Sequence, residues 1–162
     1  MEIRKSTYDD VYRMLEIFKE AREFMKENGN PNQWGEAYPP KSLLLQDIEE
    51  GNSYVCIKDG IIVGTFYYKE GEDPTYKKIY DGQWLNDKPY GVVHRIATAR
   101  GTRGVGSFCL DWCFNQSGNL KIDTHRDNIP MQRLLAKLGF NRCGIIYIEN
   151  GEERIAYQKT LE

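Results

Sequence analysis

The stretch Arg100-Gly101-Thr102-Arg103-Gly104-Val105-Gly106 restricts what this chain can fold into more than any other part of it. Ahead of it, Tyr90 to Thr98 reads as a β-rich run; behind it, Val105, Phe108, Cys109, Trp112 and Cys113 recur at helical spacing. The next strand pattern is Leu120 to Thr124, so the order is strand, glycine turn, helix, strand, a βαβ-like unit. A glycine turn in that place brings backbone N–H groups close to an anion, and the positive end of the helix dipole points at the same spot. Gly104 and Gly106 let a bulky ligand approach without a Cβ in the way, while Arg100 and Arg103 can set positive charge around phosphate oxygens. The same glycines would also serve a chain that merely reverses direction there.

Two familiar nucleotide motifs fail on these residues. Gly101-x4-Gly106 has the opening spacing of a P-loop, but Ser107 and Phe108 follow where Lys and Ser or Thr are needed. The dinucleotide pattern breaks because Gly104-x-Gly106 is followed three residues on by Cys109. Neither nucleotide hydrolysis nor a nicotinamide cofactor is indicated.

The rest of the chain supplies the remaining layers. Met1 to Thr7 reads as a short strand, and Thr7-x-x-Asp10 is a capping pattern ahead of an amphipathic helix that ends near Gly29. Asn30 to Pro40 is loop by its Pro, Gly and Asn content, yet holds Trp34 and Tyr38. A helix over Leu43 to Glu50 leads to a hairpin of Tyr54–Ile57 and Ile61–Tyr68 turning at Asp59-Gly60. Gly71 to Lys88 is irregular and polar but carries Pro74, Tyr76, Tyr80 and Trp84. Asn128 is a good N-cap for a helix through Leu138, with Gly139 as its C′ residue. Cys143–Ile148 and Arg154–Lys159 flank Asn150-Gly151, a strong hairpin signal.

This order resembles the GNAT acetyltransferase superfamily over nearly the full chain. Its pyrophosphate motif, Gln or Arg, two residues, Gly, one residue, then Gly or Ala, is matched in its later part by Arg103-Gly104-Val105-Gly106. Gly101 stands at the first position, so either Arg100 or Arg103 substitutes or the loop takes a shorter path. A second family segment is similar to Asn128-x-x-Met131-x-x-Leu134-Leu135-x-Lys137-Leu138-Gly139-Phe140. The resemblance implies one α/β domain over residues 1–162, with a mixed, mostly antiparallel sheet, a parallel βαβ unit at the CoA site, and flanking helices. It further implies acetyl-CoA as cosubstrate, bound by Ile96, Ala97 and Thr98 along the pantetheine arm. Arg100, Gly101, Thr102, Arg103, Gly104, Val105, Gly106 and Ser107 would surround the pyrophosphate, joined by Asn128 and Lys137. Leu135 stands where many members carry a Tyr that protonates the departing thiolate. The implied activity is acetyl transfer to a primary amine of a small molecule; a non-catalytic CoA-binding or sensing module is the alternative that Leu135 suggests.

Acetyl transfer from a thioester to an amine needs a neutral amine, a stabilised oxyanion and a proton for sulfur. The candidates for moving protons are His94, Asp123 and His125 near the ends of the two central strands. Strand alternation sets Asp123 and His125 on one face, where a carboxylate can orient an imidazole, for catalysis or as a structural network. Tyr147, water or the acceptor's own ammonium would supply the sulfur's proton. Arg95, in an otherwise apolar strand, must find a partner; Asp123 is one and an acidic group on the acceptor is another. Trp34, Tyr38, Trp84 and Tyr90 are the aromatic walls of an acceptor pocket or, equally, satellite core under long loops.

Composition removes other classes. A net charge of −2 argues against nucleic acid as the main partner, and no apolar run approaches the length needed to span a bilayer. Met1-Glu2-Ile3-Arg4-Lys5 leads to an acidic stretch instead of an apolar signal core, so a cytoplasmic location is expected. Cys56, Cys109, Cys113 and Cys143 form no CxxC pair and read as reduced, buried thiols, with no metal site expected. The oligomeric state, a homodimer included, stays open.

Overall fold

The computed structural model of the protein describes residues 1–161. Its centre is a seven-stranded sheet in the order β1-β2-β3-β4-β5-β7-β6. The strands are β1 (Glu2–Lys5), β2 (Ser53–Lys58), β3 (Ile61–Glu70), β4 (Gly91–Thr98), β5 (Asn119–Thr124), β6 (Asn141–Tyr147) and β7 (Glu153–Thr160). All neighbours are antiparallel except β4 and β5, which α3 (Val105–Ser117) joins as a crossover. Helices α1 (Val11–Glu27), α2 (Lys41–Glu49) and α4 (Ile129–Lys137) complete the layers. The mixed sheet with one parallel pair is the architecture expected of the sequence.

Helix α1 forms because Val11, Met14, Ile17 and Phe18 make one apolar stripe, and all four are buried against the sheet. Asp10, just before it, is fixed by Arg4 through two bonds of 2.8 and 3.0 Å and accepts the Thr7 N–H at 2.7 Å. Strand β5 alternates as a strand must. Leu120 and Ile122 enter the main core with Val93, Cys109, Leu110 and Leu135, whereas Asn119, Lys121 and Asp123 meet the segment between β3 and β4. That segment is irregular but packed: Tyr76 is buried and joins Val92, Ile146 and Ala156 in a second, smaller cluster, with Trp84 and Tyr90 against it.

Two features of β4 position everything that follows. First, β4 pairs with β5 only at Gly91↔Leu120 and Val92↔Lys121, while β3 accompanies β4 to Thr98 and β7 accompanies β5 to Thr124. The two strands therefore part after Val92, and the β4 edge beyond it has no strand partner on that side. Second, the register moves from Tyr67↔His94 to Thr65↔Ala97, so Arg95 and Ile96 lie opposite Phe66 alone. This bulge holds Arg95 at φ 51°, in the left-handed region.

Candidate active site

A cleft of about 420 Å³ opens where β4 and β5 separate. Its walls bring together Ile96, Ala97, Thr98, Arg100, Gly101, Thr102, Gly104, Val105, Gly106, Ser107 and Asn128, nearly the whole set the sequence assigned to a cosubstrate. Ala21, Phe24 and Met25 of α1 and Pro130, Met131 and Leu134 of α4 supply apolar sides that the sequence reading did not include. Arg103 and Lys137 do not line it: both are exposed beside it.

The end of the cleft is the start of α3. Gly104 is the N-cap at φ 72° and contributes no side-chain cap, and the first helical bond runs from Phe108 N–H to Gly104 O at 3.0 Å. The amides of Val105, Gly106 and Ser107 accordingly have no acceptor among the described residues, and they point with the helix dipole at one place. That donor set suits a pyrophosphate. Arg100 lines the cleft, but its groups are already engaged: its guanidinium grips Glu27 at 2.8 and 2.9 Å and its N–H donates to Glu20 at 2.9 Å. The guanidinium in turn holds the Glu27 carboxyl below its usual range.

At the fork between β4 and β5 stands His94. Its Nε2 lies 2.6 Å from Asp73 Oδ2, and its Nδ1 lies 4.0 Å from Asp123 Oδ2. Burial pushes the Asp73 carboxyl up, but bonds from His94 and from Thr75 outweigh this and hold it at about 2. An ionised carboxylate can only accept, so Nε2 is the donor, and in the neutral ring the Nδ1 lone pair then faces the fork. Asp123 accepts the Tyr76 hydroxyl at 2.6 Å; burial first and then Asp123 push that hydroxyl's pKa well above the usual tyrosine value. The rings of Tyr67 and Tyr76 flank the imidazole at 5.6 and 6.0 Å. Asp73 was absent from the sequence reading, although Asp73-Pro74-Thr75 carries an Asx-turn signal: Asp73 Oδ1 accepts the Thr75 N–H at 2.9 Å.

Two expected partnerships are replaced. Asp123 does not pair with His125, because β5 ends at Thr124 and the chain turns. His125 Nδ1 instead accepts the Asp127 N–H at 3.0 Å, which puts the proton of the neutral ring on Nε2, and burial with Arg154 lowers the ring's pKa. His125 lines a separate depression with Asn32, Arg126 and Arg154. Arg95 pairs with Asp47 of α2, not with Asp123, through bonds of 2.9 Å from both Nε and Nη2. Asp47 stays above the usual carboxylate range, because burial outweighs that pairing.

The aromatic candidates divide. Tyr38 accepts from Arg95 at 3.3 Å, and Trp34 packs between Phe18 and Tyr38 at 5.6 and 6.2 Å. Gln33 beside it ties this loop across the fork, accepting from Asn128 at 2.9 Å and giving its carbonyl to Arg154 at 3.2 Å. Trp84 and Tyr90 hold the Lys121 ammonium between them, at 4.1 and 3.8 Å from the ring centres, and Tyr90 accepts the Asp73 N–H at 3.0 Å. Tyr147 is on the edge strand β6, edge-on to Tyr80 at 5.3 Å and outside the cleft. Leu135 is fully buried in the main core. The four cysteines are free and buried, and no metal-ligating cluster of His, Cys, Asp and Glu exists among the described residues. None of the described helices is long and apolar enough to cross a membrane.

The model of the Acetyltransferase (GNAT) family matches residues 11–140. Among solved structures, a GNAT-family acetyltransferase from Streptococcus agalactiae is 30% identical, with a TM-score of 0.90 over 99% of this chain and 95% of that one. A ribosomal-protein-alanine N-acetyltransferase from Brucella melitensis is 19% identical, with a TM-score of 0.68 over 99% and 100% of the two chains. A phosphinothricin acetyltransferase from Sinorhizobium meliloti, solved in complex with acetyl-CoA, is 14% identical, with a TM-score of 0.66 over 98% and 86%. The last two share the fold alone. No curated protein sequence matches.

Proposed function

The chain belongs to the acetyltransferase (GNAT) family, and on that premise we propose that it transfers acetyl from acetyl-CoA to a primary amine of a small molecule, with His94 as proton acceptor. One observation carries the reading: at the fork where β4 leaves β5, Asp73 holds the Nε2–H of His94 and leaves Nδ1 open. The free amides of α3 take the pyrophosphate, and the unpaired β4 edge at Ile96-Ala97-Thr98 runs beside the pantetheine. One β4 amide then donates to the thioester oxygen, where negative charge develops.

The amine reaches the fork as ammonium. It must shed one proton before attack and a second as the tetrahedral intermediate collapses; one ends on the CoA sulfur and the other goes to solvent. His94 takes the first through Nδ1, directly or by way of a water beside Asp123. Leu135, buried in the core, has no proton to give, so the sulfur draws on those the amine released. The aromatic walls at Tyr67, Tyr76 and Tyr38 suit a partly desolvated amine, and the loops over residues 30–40 and 71–90 favour a small acceptor over a protein surface.

Thiol release from acetyl-CoA with a panel of amines tests this. His94→Gln is expected to lose about a hundredfold in turnover with acetyl-CoA affinity kept, and His125→Gln to lose little. Acetyl-CoA binding without turnover on any amine would favour the CoA-sensing alternative. Equal losses in the two histidine variants would remove His94 from the role.

A further inference from the structure

Arg95 has a backbone conformation that its residue type does not favour. Few residues other than glycine sit at positive φ, those that do are chiefly Asn, Asp and His, and yet Arg95 is held at 51° in the middle of a strand. Such a conformation persists only where the surroundings over-determine it. Here they do. Nε and Nη2 grip both oxygens of Asp47 at 2.9 Å, Nη1 reaches Tyr38 Oη at 3.3 Å, and the guanidinium lies 4.6 Å from the centre of the Tyr67 ring. Asp47 is itself 95% or more buried in side-chain terms, with 5% exposed, and the Arg95 side chain is 13% exposed.

The position of this anchor matters more than its strength. Arg95 opens the bulge one residue past His94 and directly precedes Ile96 and Ala97, which line the cleft. A regular strand would turn Arg95 to the face opposite His94; with the bulge, both side chains meet the Tyr67 ring. The guanidinium is also occupied, which removes the role of binding an acidic acceptor. We propose that the Arg95–Asp47 pair is a positioning lock: it holds the bulged backbone of β4 in the left-handed geometry that aims a β4 amide at the thioester oxygen. Tyr38 links this lock to the loop that walls the acceptor side, so acceptor binding and oxyanion geometry share one anchor.

The inference rests on the acetyl-transfer reading, and its test separates the two. Arg95→Gly loses the anchor but adopts positive φ freely; Arg95→Ala loses the anchor and resists positive φ. A lock on backbone geometry predicts turnover falling about tenfold in Arg95→Gly and about a hundredfold in Arg95→Ala, with the KM for amine and the Kd for acetyl-CoA within about threefold of wild type. Asp47→Asn, which keeps the shape of the partner but weakens the anchor while an L-residue still occupies position 95, should resemble Arg95→Ala more than Arg95→Gly and serves if Arg95→Ala does not fold. A second readout needs no amine: the carbonyl stretch of isotope-labelled acetyl-CoA should move to lower frequency on binding wild type, less on Arg95→Gly and least on Arg95→Ala. Equal turnover in the Gly and Ala variants, a loss confined to the KM for amine, or a carbonyl stretch indifferent to both changes would overturn the lock. If wild type polarises the carbonyl but acetylates no amine, the lock stands and the proposed reaction falls.

Discussion

Gly104 lines the cleft at φ 72°, and a Cβ built there would meet nothing of the protein within 4 Å. Gly60 in the β2–β3 turn has the same freedom at φ 76° and no neighbour either, but it does not line the cleft. Alanine at either position should cost about 1 kcal/mol of stability, the price of a left-handed L-residue. Only Gly104→Ala should also weaken acetyl-CoA, by about tenfold or more, since its methyl group stands where phosphate oxygens approach the amides. Paired denaturant midpoints and calorimetric affinities check this; equal affinities in the two variants would make Gly104 a turn residue and nothing more. The glycines, Asn128 and the Ile96-Ala97-Thr98 backbone could be read from the sequence because their chemistry is local: a turn, a cap, a strand edge. Asp73 and Asp47 could not, since each acquires its role from a tertiary contact with β4, across 21 and 48 residues of sequence, that no local pattern encodes. Arg95 misleads for a further reason: no Gly or Pro marks the bulge, so alternation through His94-Arg95-Ile96 assigns it to the wrong face.

At the scale of elements, the polar segment between β3 and β4 is the main surprise. Its composition suggests loop, and its backbone is indeed irregular, yet Tyr76, Trp84 and Tyr90 make it a packed layer over β4, β5 and β7. Lys121 is enclosed by that layer, 3% exposed, with two aromatic rings and, among the described residues, no carboxylate against its ammonium. Burial lowers its pKa to about 8 from the usual 10.5. In the unfolded chain the proton is kept up to about pH 10.5, so between pH 8 and 10.5 the unfolded state binds more protons than the folded one. Stability due to this residue therefore rises with pH through that window and is flat below it. The difference in unfolding free energy between wild type and Lys121→Met should shift in favour of wild type from pH 8 to 10.5; a difference independent of pH would place the ammonium in water. The hairpins at Asp59-Gly60 and Asn150-Gly151 and the helix capped by Asn128 were all predictable, being set by turn and cap chemistry within a few residues. Element ends moved where tertiary bonds extend them: β6 begins at Asn141, two residues before the expected start, because Asn141 pairs with Gln158 of β7.

For the molecule as a whole, the order of strands and helices was enough to give the mixed sheet, while the fork depends on where β5 leaves β4, which no local pattern encodes. The cleft draws on α1, β4, α3 and α4, segments remote in sequence, so only the folded chain can hold acetyl-CoA and binding must stabilise it. One further property comes from the cradle's own charges. Arg100 already has counter-ions, the Glu27 carboxylate on its guanidinium and that of Glu20 on its amide. A pyrophosphate that recruits Arg100 must take it from Glu27, so binding is an ion exchange more than a neutralisation, with little net change in the number of paired charges. Acetyl-CoA affinity should then vary only weakly with ionic strength. Glu27→Gln leaves Arg100 unclaimed and should both tighten acetyl-CoA binding and steepen its dependence on salt, measured by calorimetry from low to physiological ionic strength. An unchanged slope would mean that Arg100 keeps its carboxylate while the amides of α3 hold the phosphates alone. Under the exchange, the acidic face of α1 acts as a resident competitor, setting how much cosubstrate is needed before the site fills.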